Sequence, residues 1–385
     1  MDYAATTPLD PQVFEAMKPY FTRIYGNAES VNTFGLEARG AVEESRKKLA
    51  GAMNAEFSEV IFTGNATEAN NMVVKGHAFR EGMGRTHIAI STIEHSCVLK
   101  ATKWLEEKGY KVTYLPVDSL GDLDLERLEE ALRSGVTIVS VIHGSNEIGT
   151  VQHIDKIGRL CREHGALFHT DAAQTFGKIP VDVKSMNIDL LTVNAHKLYG
   201  PKGIGALYIR RGVELDPLLH GGEHEFGLRA GTHNVPGIVG FAKAVELRAA
   251  EMVEEAERLS RLRDRLIKGA LEIEDTQLNG HPVKRLPNNV NICFKYVEGE
   301  SLVLHLDTEG IAASSGSACS ARSEEASHVL RAIGVDPVDA KGSLRLSLGK
   351  YNTGEDVDYV LEALPRIVKQ LRHISPLSPG GVRAN

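Results

Sequence analysis

From residue 87 onward, short apolar segments rich in β-branched residues alternate with segments that have the pattern of amphipathic helices. Such alternation predicts neighbouring strands that run parallel, with helices covering both faces of the sheet. The sequence therefore predicts an α/β fold with a mainly parallel sheet. Helices are predicted at residues 95–108, 124–134 and 154–165. The predicted strands are His87–Ser91, Lys111–Pro116, Thr137–Ile142, Leu167–Thr170, Leu190–Val193 and Gly205–Ile209.

The two ends of the chain have different patterns. Upstream, helices are predicted at 11–24 and 36–53, with a short strand at Glu59–Thr63. Downstream, a long charged helical segment from about Ile238 to Glu274 leads into a predicted small α+β unit. Its predicted elements are Val290–Phe294, Gly299–Leu306, Ile311–Ala313, a helix beginning near Ala326, and Leu344–Ser347. We therefore predict a large domain at 14–250 and a small domain formed by 1–13 and 251–385.

Polar residues follow most of the predicted strands. In open α/β sheets, ligands bind beyond the carboxyl ends of the strands, so these side chains are expected to converge. Taken singly, each has an ordinary structural explanation, such as a helix N-cap, a turn or a satisfied buried histidine. The residues concerned are His95, Asn146, Glu147, Asp171, Gln174, His196 and Lys197.

Lys197 stands alone at the end of a predicted buried strand, with apolar sequence on both sides. Burial would favour the neutral amine, which is the form that a Schiff-base lysine needs. The alternative is a solvated loop lysine before the turn at Gly200–Pro201. The sequence of this segment alone does not separate the two interpretations.

A predicted strand, a glycine turn and a helix start follow one another at residues 59–71. The start of a helix presents unpaired N–H groups and the positive end of the helix dipole, which together favour a phosphate. The predicted cofactor-binding residues of this segment are Ala66 and Thr67, and the Thr67 hydroxyl adds a donor. The alternative is an ordinary capped helix of an α/β protein.

Together these residues form the set needed to hold an aromatic aldehyde phosphate, pyridoxal 5′-phosphate (PLP). Lys197 would form the Schiff base, and anionic Asp171 would keep the pyridine nitrogen protonated. Gln174 and Asn146 would donate hydrogen bonds to the ring phenolate. His95 would stack on the ring and move protons.

Four cysteines, Cys97, Cys161, Cys293 and Cys319, occur without a C-x-x-C pair, which argues against a zinc knuckle, a chelated cluster and a disulfide framework. Cys161 and Cys293 are predicted core residues, and Cys97 is either near a site or simply buried. Cys319 lies in a stretch of Gly, Ser and Ala, which predicts an exposed and mobile loop. Its thiolate could reach a site, and the alternative is an inert loop thiol.

The bulk composition excludes several classes of partner. Lys and Arg number 44 against 51 Asp and Glu, a formal net charge of −7, and no basic block stands out. A nucleic-acid partner is therefore not expected. No apolar run is long enough for a membrane span, and residues 1–8 lack the pattern of a signal peptide. We expect a cytoplasmic protein without a membrane partner.

Along nearly its whole length, the chain resembles the cysteine desulfurases of the NifS and IscS type, within the class-V aminotransferase group. The Gly-Ser-Ala-Cys form at Cys319 resembles the NifS/IscS members rather than the SufS-like ones. The matching segments are Asp2–Pro8, Thr63–Asn71, Glu94–His95, Asn146–Gly149, Asp171–Gln174, His196–Lys197, Tyr199–Gly203, Leu228–Thr232, Ser315–Cys319 and Arg345–Gly349.

The resemblance implies fold type I of the PLP enzymes and a homodimer whose sites lie at the subunit interface. It implies that Asn194 and His196 help to hold the cofactor and that Thr232 reaches the phosphate in the neighbouring subunit. Arg345 and Asn146 would hold the substrate carboxylate.

The implied reaction removes sulfur from L-cysteine, leaving L-alanine and a persulfide on Cys319. The persulfide would supply an iron–sulfur scaffold protein or another sulfur acceptor. No intrinsic metal is implied, although Cys319 could transiently ligate an iron–sulfur cluster shared with the scaffold.

Three positions depart from the family pattern. Asn194 stands where a Ser or Thr hydroxyl usually contacts the phosphate, Phe226 where an Arg is common, and Asn32 where a His is common. An amide can still donate a hydrogen bond to a phosphate. None of the three departures removes a catalytic group.

Other functions remain as alternatives. A selenocysteine lyase or another PLP-dependent lyase would need no nucleophilic thiol, so Cys319 argues against it. The presence of both Lys197 and Cys319 argues against a sulfur-relay or scaffold protein with reduced catalysis. A metal hydrolase would rest on His220–His224, whose glycines make a rigid helical ligand pair improbable.

Overall fold

A computed structural model describes residues 1–316 and 327–376 of the 385-residue chain. In these residues, the main sheet has seven strands in the order β1-β7-β6-β5-β4-β2-β3. All pairs from β6 to β3 are parallel, whereas β7 runs antiparallel to both β6 and β1. The predicted α/β class with a mainly parallel sheet is confirmed. The strands are β1 (Val60–Thr63), β2 (His87–Ser91), β3 (Lys111–Leu115), β4 (Ile138–Ser140), β5 (Leu167–Asp171), β6 (Leu190–Asn194) and β7 (Gly205–Ile209).

A second sheet has three antiparallel strands in the order β10-β9-β8. These are β8 (Thr276–Leu278), β9 (Asn289–Phe294) and β10 (Ser343–Ser347). The α-helices of the described residues are α1 (Pro11–Met17), α2 (Pro19–Thr22), α3 (Thr33–Ala52), α4 (Ala66–Glu81), α5 (Ser96–Glu107), α6 (Leu125–Arg133), α7 (Ile154–Glu163), α8 (Val235–Ala270), α9 (Gly299–Thr308), α10 (His328–Ala332), α11 (Pro337–Lys341) and α12 (Gly354–Ile374).

Helices cover both faces of the main sheet. Successive residues of a strand point to opposite faces, so neighbouring residues pack against different helices. In β6, Leu190 packs in the core on the side of α4 and α5. Its neighbour Leu191 packs on the other side, in the core formed with α1, α3, α6, α7 and α8. A strand buried on both faces must be apolar throughout, which explains the near-continuous apolar run of β6.

Helix α8 joins the cores of the two sheets. Its first half contributes Phe241 and Val245 to the core of the main sheet. Its second half contributes Leu259 and Leu266 to a separate core with β9, β10, α9 and α12. The predicted boundary between residues 250 and 251 falls within this continuous helix, so the division into 14–250 and the remainder stays a prediction.

Several predicted elements have different bounds in the structure. The helix predicted at 11–24 is divided into α1 and α2, because Pro19 supplies no N–H to continue the first helix. Residues 311–313 form no strand, although Ser314 forms an isolated bridge with Arg345. The helix predicted near Ala326 begins at His328, where the Ser327 hydroxyl caps the N–H groups of the first turn.

None of the helices in residues 1–316 and 327–376 is both long and apolar enough to cross a membrane.

Candidate active site

The predicted phosphate site lies at the start of α4, directly after β1. Asn65 caps this helix, and its side chain accepts a hydrogen bond from the Glu68 N–H at 2.9 Å. The N–H groups of Ala66 and Thr67 in the first turn have no acceptor within the helix. A Cβ placed on Gly205 would lie 2.9 Å from the Asn65 carbonyl carbon, so only glycine allows this close approach. The contact holds the start of α4 against the end of β6.

Asn194, the last residue of β6, is the strand partner of Gly205 and therefore lies beside the start of α4. Its side-chain oxygen is buried and has no hydrogen-bond partner in the described part of the chain. A half-turn of the amide would present an N–H donor in the same position. Asn194 can therefore serve the phosphate in place of a hydroxyl.

Asp171 ends β5 and is held by two hydrogen bonds. Its Oδ1 accepts from the Ala173 N–H at 2.9 Å, and its Oδ2 accepts from the Asn70 side chain at 2.7 Å. Both Asp171 and Asn70 are buried. The sequence analysis missed Asn70, although it lies three and four residues after Thr67 and Ala66 and therefore shares their side of α4.

A chain of contacts joins Asp171 to His95. The Asn70 side-chain nitrogen lies 3.2 Å from the Cys97 sulfur, and that sulfur lies 2.9 Å from His95 Nδ1. His95 Nδ1 also accepts a hydrogen bond from the Cys97 backbone N–H, as the cap of α5. Because Nδ1 is an acceptor, a neutral His95 ring carries its proton on Nε2. Cys97 thus contacts two residues of the candidate site, Asn70 and His95.

The turn that presents His95 is fixed by Glu94. This carboxyl is fully buried and accepts hydrogen bonds from the Ser91 hydroxyl and the Ile142 N–H, both at 2.6 Å. Burial raises the pKa of Glu94 to about 8. At neutral pH the Glu94 carboxyl is therefore mainly protonated and adds little negative charge beside Asp171.

Lys197 lies in a short 3-10 turn directly after β6. Its Nζ donates hydrogen bonds to the backbone carbonyls of Ala4 and Ala5, both at 2.6 Å. Gln174 also donates to the Ala4 carbonyl, at 2.9 Å. The N-terminal segment therefore reaches the predicted cofactor site and brings Lys197 and Gln174 together.

Two more basic side chains, Lys178 and His196, lie near Lys197. Lys178 donates a hydrogen bond to Gln174 Oε1 at 3.0 Å, and burial together with the charge of Lys197 lowers the pKa of Lys178 to about 7. Burial and the neighbouring lysines lower the pKa of His196 to about 4, and His196 Nδ1 lies 3.0 Å from the Thr6 hydroxyl. His196 is therefore neutral at pH 7.

Arg345 in β10 meets Asn146. The Arg345 side chain is 2% exposed, and one of its nitrogens donates to the Asn146 carbonyl at 3.1 Å. Another donates to Asp2 Oδ1 at 3.1 Å and to the Ser314 hydroxyl at 3.2 Å. Arg345 Nε is buried and has no partner among the described residues. The two predicted substrate-binding residues are thus in contact.

Thr232 is exposed and follows a segment that contacts α4 through an ion pair. Three residues earlier, Arg229 forms an ion pair with Glu68 at 2.8 Å, and Glu68 accepts the Gly64 N–H at 2.9 Å. The predicted contact of Thr232 with the cofactor phosphate of a neighbouring subunit stays a prediction. Cys319 lies outside the described residues.

Two of the residues that depart from the family pattern have structural partners. The Asn32 side chain caps α3 by accepting the Gly35 N–H at 3.0 Å. The Phe226 ring centroid lies 5.1 Å from the Arg46 guanidinium, a cation–π distance.

The chain is similar to proteins of known family over nearly its whole length. The family model of class-V aminotransferases matches residues 1–360. A cysteine desulfurase IscS of Methanosarcina thermophila is 52% identical over 379 residues, which is 98% of this chain and 94% of the relative.

Two solved structures have the same fold. A NifS-like protein superposes with a TM-score of 0.91 at 39% identity, covering 96% of this chain and 99% of that one. A protein described as SspA in complex with cysteine superposes with a TM-score of 0.81 at 38% identity, covering 91% and 99%. The resemblance and the fold that it implies are confirmed. This chain belongs to the class-V aminotransferase family.

Proposed function

We propose that this protein is a PLP-dependent cysteine desulfurase, which converts L-cysteine into L-alanine and a persulfide on Cys319. The observation that carries the proposal is that Asp171, Lys197 and the start of α4 lie at the carboxyl ends of β5, β6 and β1, which run in the same direction. The substrate is supported by relatives named cysteine desulfurases and by the similar structure in complex with cysteine. PLP is the cofactor of this family.

The residues present fit this cofactor. The free N–H groups at the start of α4 and the Asn194 amide suit its phosphate, and buried Asp171 suits its pyridine nitrogen. Lys197 would hold the cofactor covalently, Gln174 would donate to its phenolate oxygen, and His95 would cover its ring. When bound, PLP supplies an electron sink that stabilises negative charge at the substrate α-carbon.

The protein's own groups would carry out the remaining steps. Arg345 binds the substrate carboxylate beside Asn146, and its buried Nε offers a further donor. Lys197 removes the α-proton as a neutral amine, and His95 delivers a proton from Nε2. The Cys319 thiolate attacks the substrate sulfur, so that an S–S bond forms, the C–S bond breaks and the carbon takes up a proton.

The proposal includes a homodimer in the cytoplasm and transfer of sulfur to an iron–sulfur scaffold protein or a similar acceptor. Four exposed apolar side chains, Tyr25, Val31, Phe34 and Leu36, support a contact with a second copy, and two of them, Tyr25 and Phe34, stack on each other. We also propose the division into a large domain at 14–250 and a small domain at 1–13 and 251–385, because each sheet has its own core.

The experiment is incubation of the purified, PLP-loaded protein with L-cysteine, following alanine and protein-bound persulfide together. The proposal expects both products in equal amounts in the first turnover. Elemental selenium released from L-selenocysteine, with no alanine from L-cysteine, would instead identify a selenocysteine lyase. A protein that binds PLP but reacts with neither L-cysteine nor L-selenocysteine would match the sulfur-relay alternative.

Gly205→Ala is expected to weaken PLP binding by about tenfold or more, because overpacking against rigid backbone costs about 1–3 kcal/mol. The new Cβ would meet the backbone of Asn65 and Val193 and push the start of α4 away from Asn194. PLP titration of the apoprotein, followed by absorbance, measures the effect. The control is Gly40→Ala in α3, where a Cβ meets nothing within 4 Å. Equal PLP affinity of the two variants would show that this close approach does not shape the site.

Asn70→Ala is expected to slow exchange of the substrate α-proton by about 10- to 100-fold, because Asp171 loses the donor that orients it. Solvent-deuterium exchange into L-cysteine or L-alanine, followed by NMR, measures this step. Asn71→Ala is the matched control, since the Asn71 side chain bonds to the Thr67 carbonyl on the exposed side of α4. An exchange rate equal to that of Asn71→Ala would exclude a positioning role for Asn70.

A further inference from the structure

A cluster of metal-ligating groups lies outside the proposed active site. It consists of Glu29, in the segment before α3, and His224 and His233, in the segment before α8. One ligand atom from each of the three residues lies within 4.8 Å of the others. We propose that this cluster binds one divalent transition-metal ion such as Zn²⁺.

His233 is already oriented as a metal ligand. Its side chain is 8% exposed, and its Nε2 lies 2.6 Å from Glu225 Oε1. A carboxylate only accepts hydrogen bonds, so it keeps the proton of a neutral imidazole on Nε2 and leaves a lone pair on Nδ1. Metal-binding histidines commonly have their second nitrogen bonded to a carboxylate in this way.

Glu225 is fixed as an anion by its other partners. It forms a bidentate pair with Arg46, at 2.6 and 2.7 Å, and accepts the Phe62 N–H at 2.6 Å. Because Arg46 and the Phe62 N–H hold Glu225 in place, the contact with Glu225 fixes the orientation of the His233 ring.

Two buried nitrogens in the cluster lack hydrogen-bond partners. They are the Nδ1 atoms of His224 and His233, for which residues 1–316 and 327–376 supply no partner. Buried polar atoms are nearly always paired, so each unpaired atom requires an explanation. The two rings meet edge to face with centroids 5.3 Å apart. A metal ion bound to both nitrogens would satisfy them together.

Small movements would complete the coordination. Zinc bonded at 2.0–2.1 Å in a tetrahedral site places its ligand atoms about 3.4 Å apart. The Glu29 carboxylate lies 3.9 Å from His233 Nδ1, and its side chain is 53% exposed and can move closer. Two imidazoles and one carboxylate suit zinc, with a water molecule in the fourth position.

Metal binding would tie two distant segments of the chain together. One precedes α3, and the other carries Thr232 next to His233. The ion would therefore restrain the segment that holds Thr232. The sequence analysis expected no intrinsic metal, because the family resemblance implies none. The three ligands come from separate segments, so no local spacing indicates this cluster.

The test is Zn²⁺ titration of the PLP-loaded protein after removal of metal with a chelator. The metal retained after gel filtration is counted by mass spectrometry. We expect one Zn²⁺ per chain in the parent and in the control His220→Ala, whose histidine lies outside the cluster. His233→Ala and Glu29→Gln should each weaken binding by tenfold or more. Glu29 is exposed, so Glu29→Gln tests the site without disturbing the core.

Co²⁺ identifies the ligand atoms. A cobalt ion bound here should give visible bands of a nitrogen- and oxygen-ligated site, without the near-ultraviolet sulfur charge-transfer band of a cysteine ligand. The sulfur band, the absence of a stoichiometric ion in the parent, or equal zinc retention by the parent and Glu29→Gln would each overturn the proposal.

Discussion

Lys197→Ala is expected to lower desulfurase activity by about a thousandfold or more, because the lysine both holds the cofactor and moves the substrate α-proton. The variant should still bind PLP weakly through the start of α4 and Asp171. It should lose the visible absorbance of the lysine-bound cofactor. Absorbance spectra and alanine release from L-cysteine measure the two effects separately.

Lys202→Ala is the matched control, because Lys202 is an exposed lysine of the same segment. The control should retain the absorbance and the activity of the parent. Unfolding of Lys197→Ala should remain cooperative, since the two hydrogen bonds lost, to Ala4 and Ala5, lie at the N-terminal segment. Lys178 is half-buried nearby and bonded to Gln174, so the variant also tests whether a second lysine can replace Lys197. Parent-like activity in Lys197→Ala would refute the assignment.

The positions of the strands along the chain, and the polar groups at their ends, could be predicted from the sequence, because both depend on local patterns. Asp171 and Asn194 end β5 and β6 within one residue of the predicted ends. The antiparallel direction of β7 was not predicted. A signal existed, since only the residues between Asn194 and Gly205 join β6 to β7, fewer than a parallel crossover needs.

The supporting contacts of the site could not be predicted in the same way. Asn70 and Cys97 acquire their roles only when α4 and α5 pack side by side. The acceptors for Lys197 are backbone carbonyls of Ala4 and Ala5, which any residue would supply. A local sequence pattern records side-chain chemistry and carries no information about contacts of this kind.

Cys319→Ser is expected to separate the two halves of the proposed reaction. Lys197 and Asp171 act at the substrate α-carbon, whereas Cys319 acts only on the substrate sulfur. A serine hydroxyl is a poor nucleophile towards sulfur, so alanine and persulfide formation should fall together by about a thousandfold. The cofactor absorbance, its change on adding L-cysteine, and α-proton exchange should all persist.

The location of the transferred sulfur decides whether Cys319 is the acceptor. After a single turnover, peptide mass spectrometry should find one extra sulfur atom on Cys319 in the parent and in the control Cys97→Ser, whose hydroxyl can keep the contact with His95. Burial raises the pKa of Cys293 to about 11 and raises that of Cys161 as well, so neither thiol is appreciably ionised at pH 7. Sulfur found on one of these buried thiols, or full alanine production by Cys319→Ser, would therefore refute the mechanism even if the fold and the cofactor are correct.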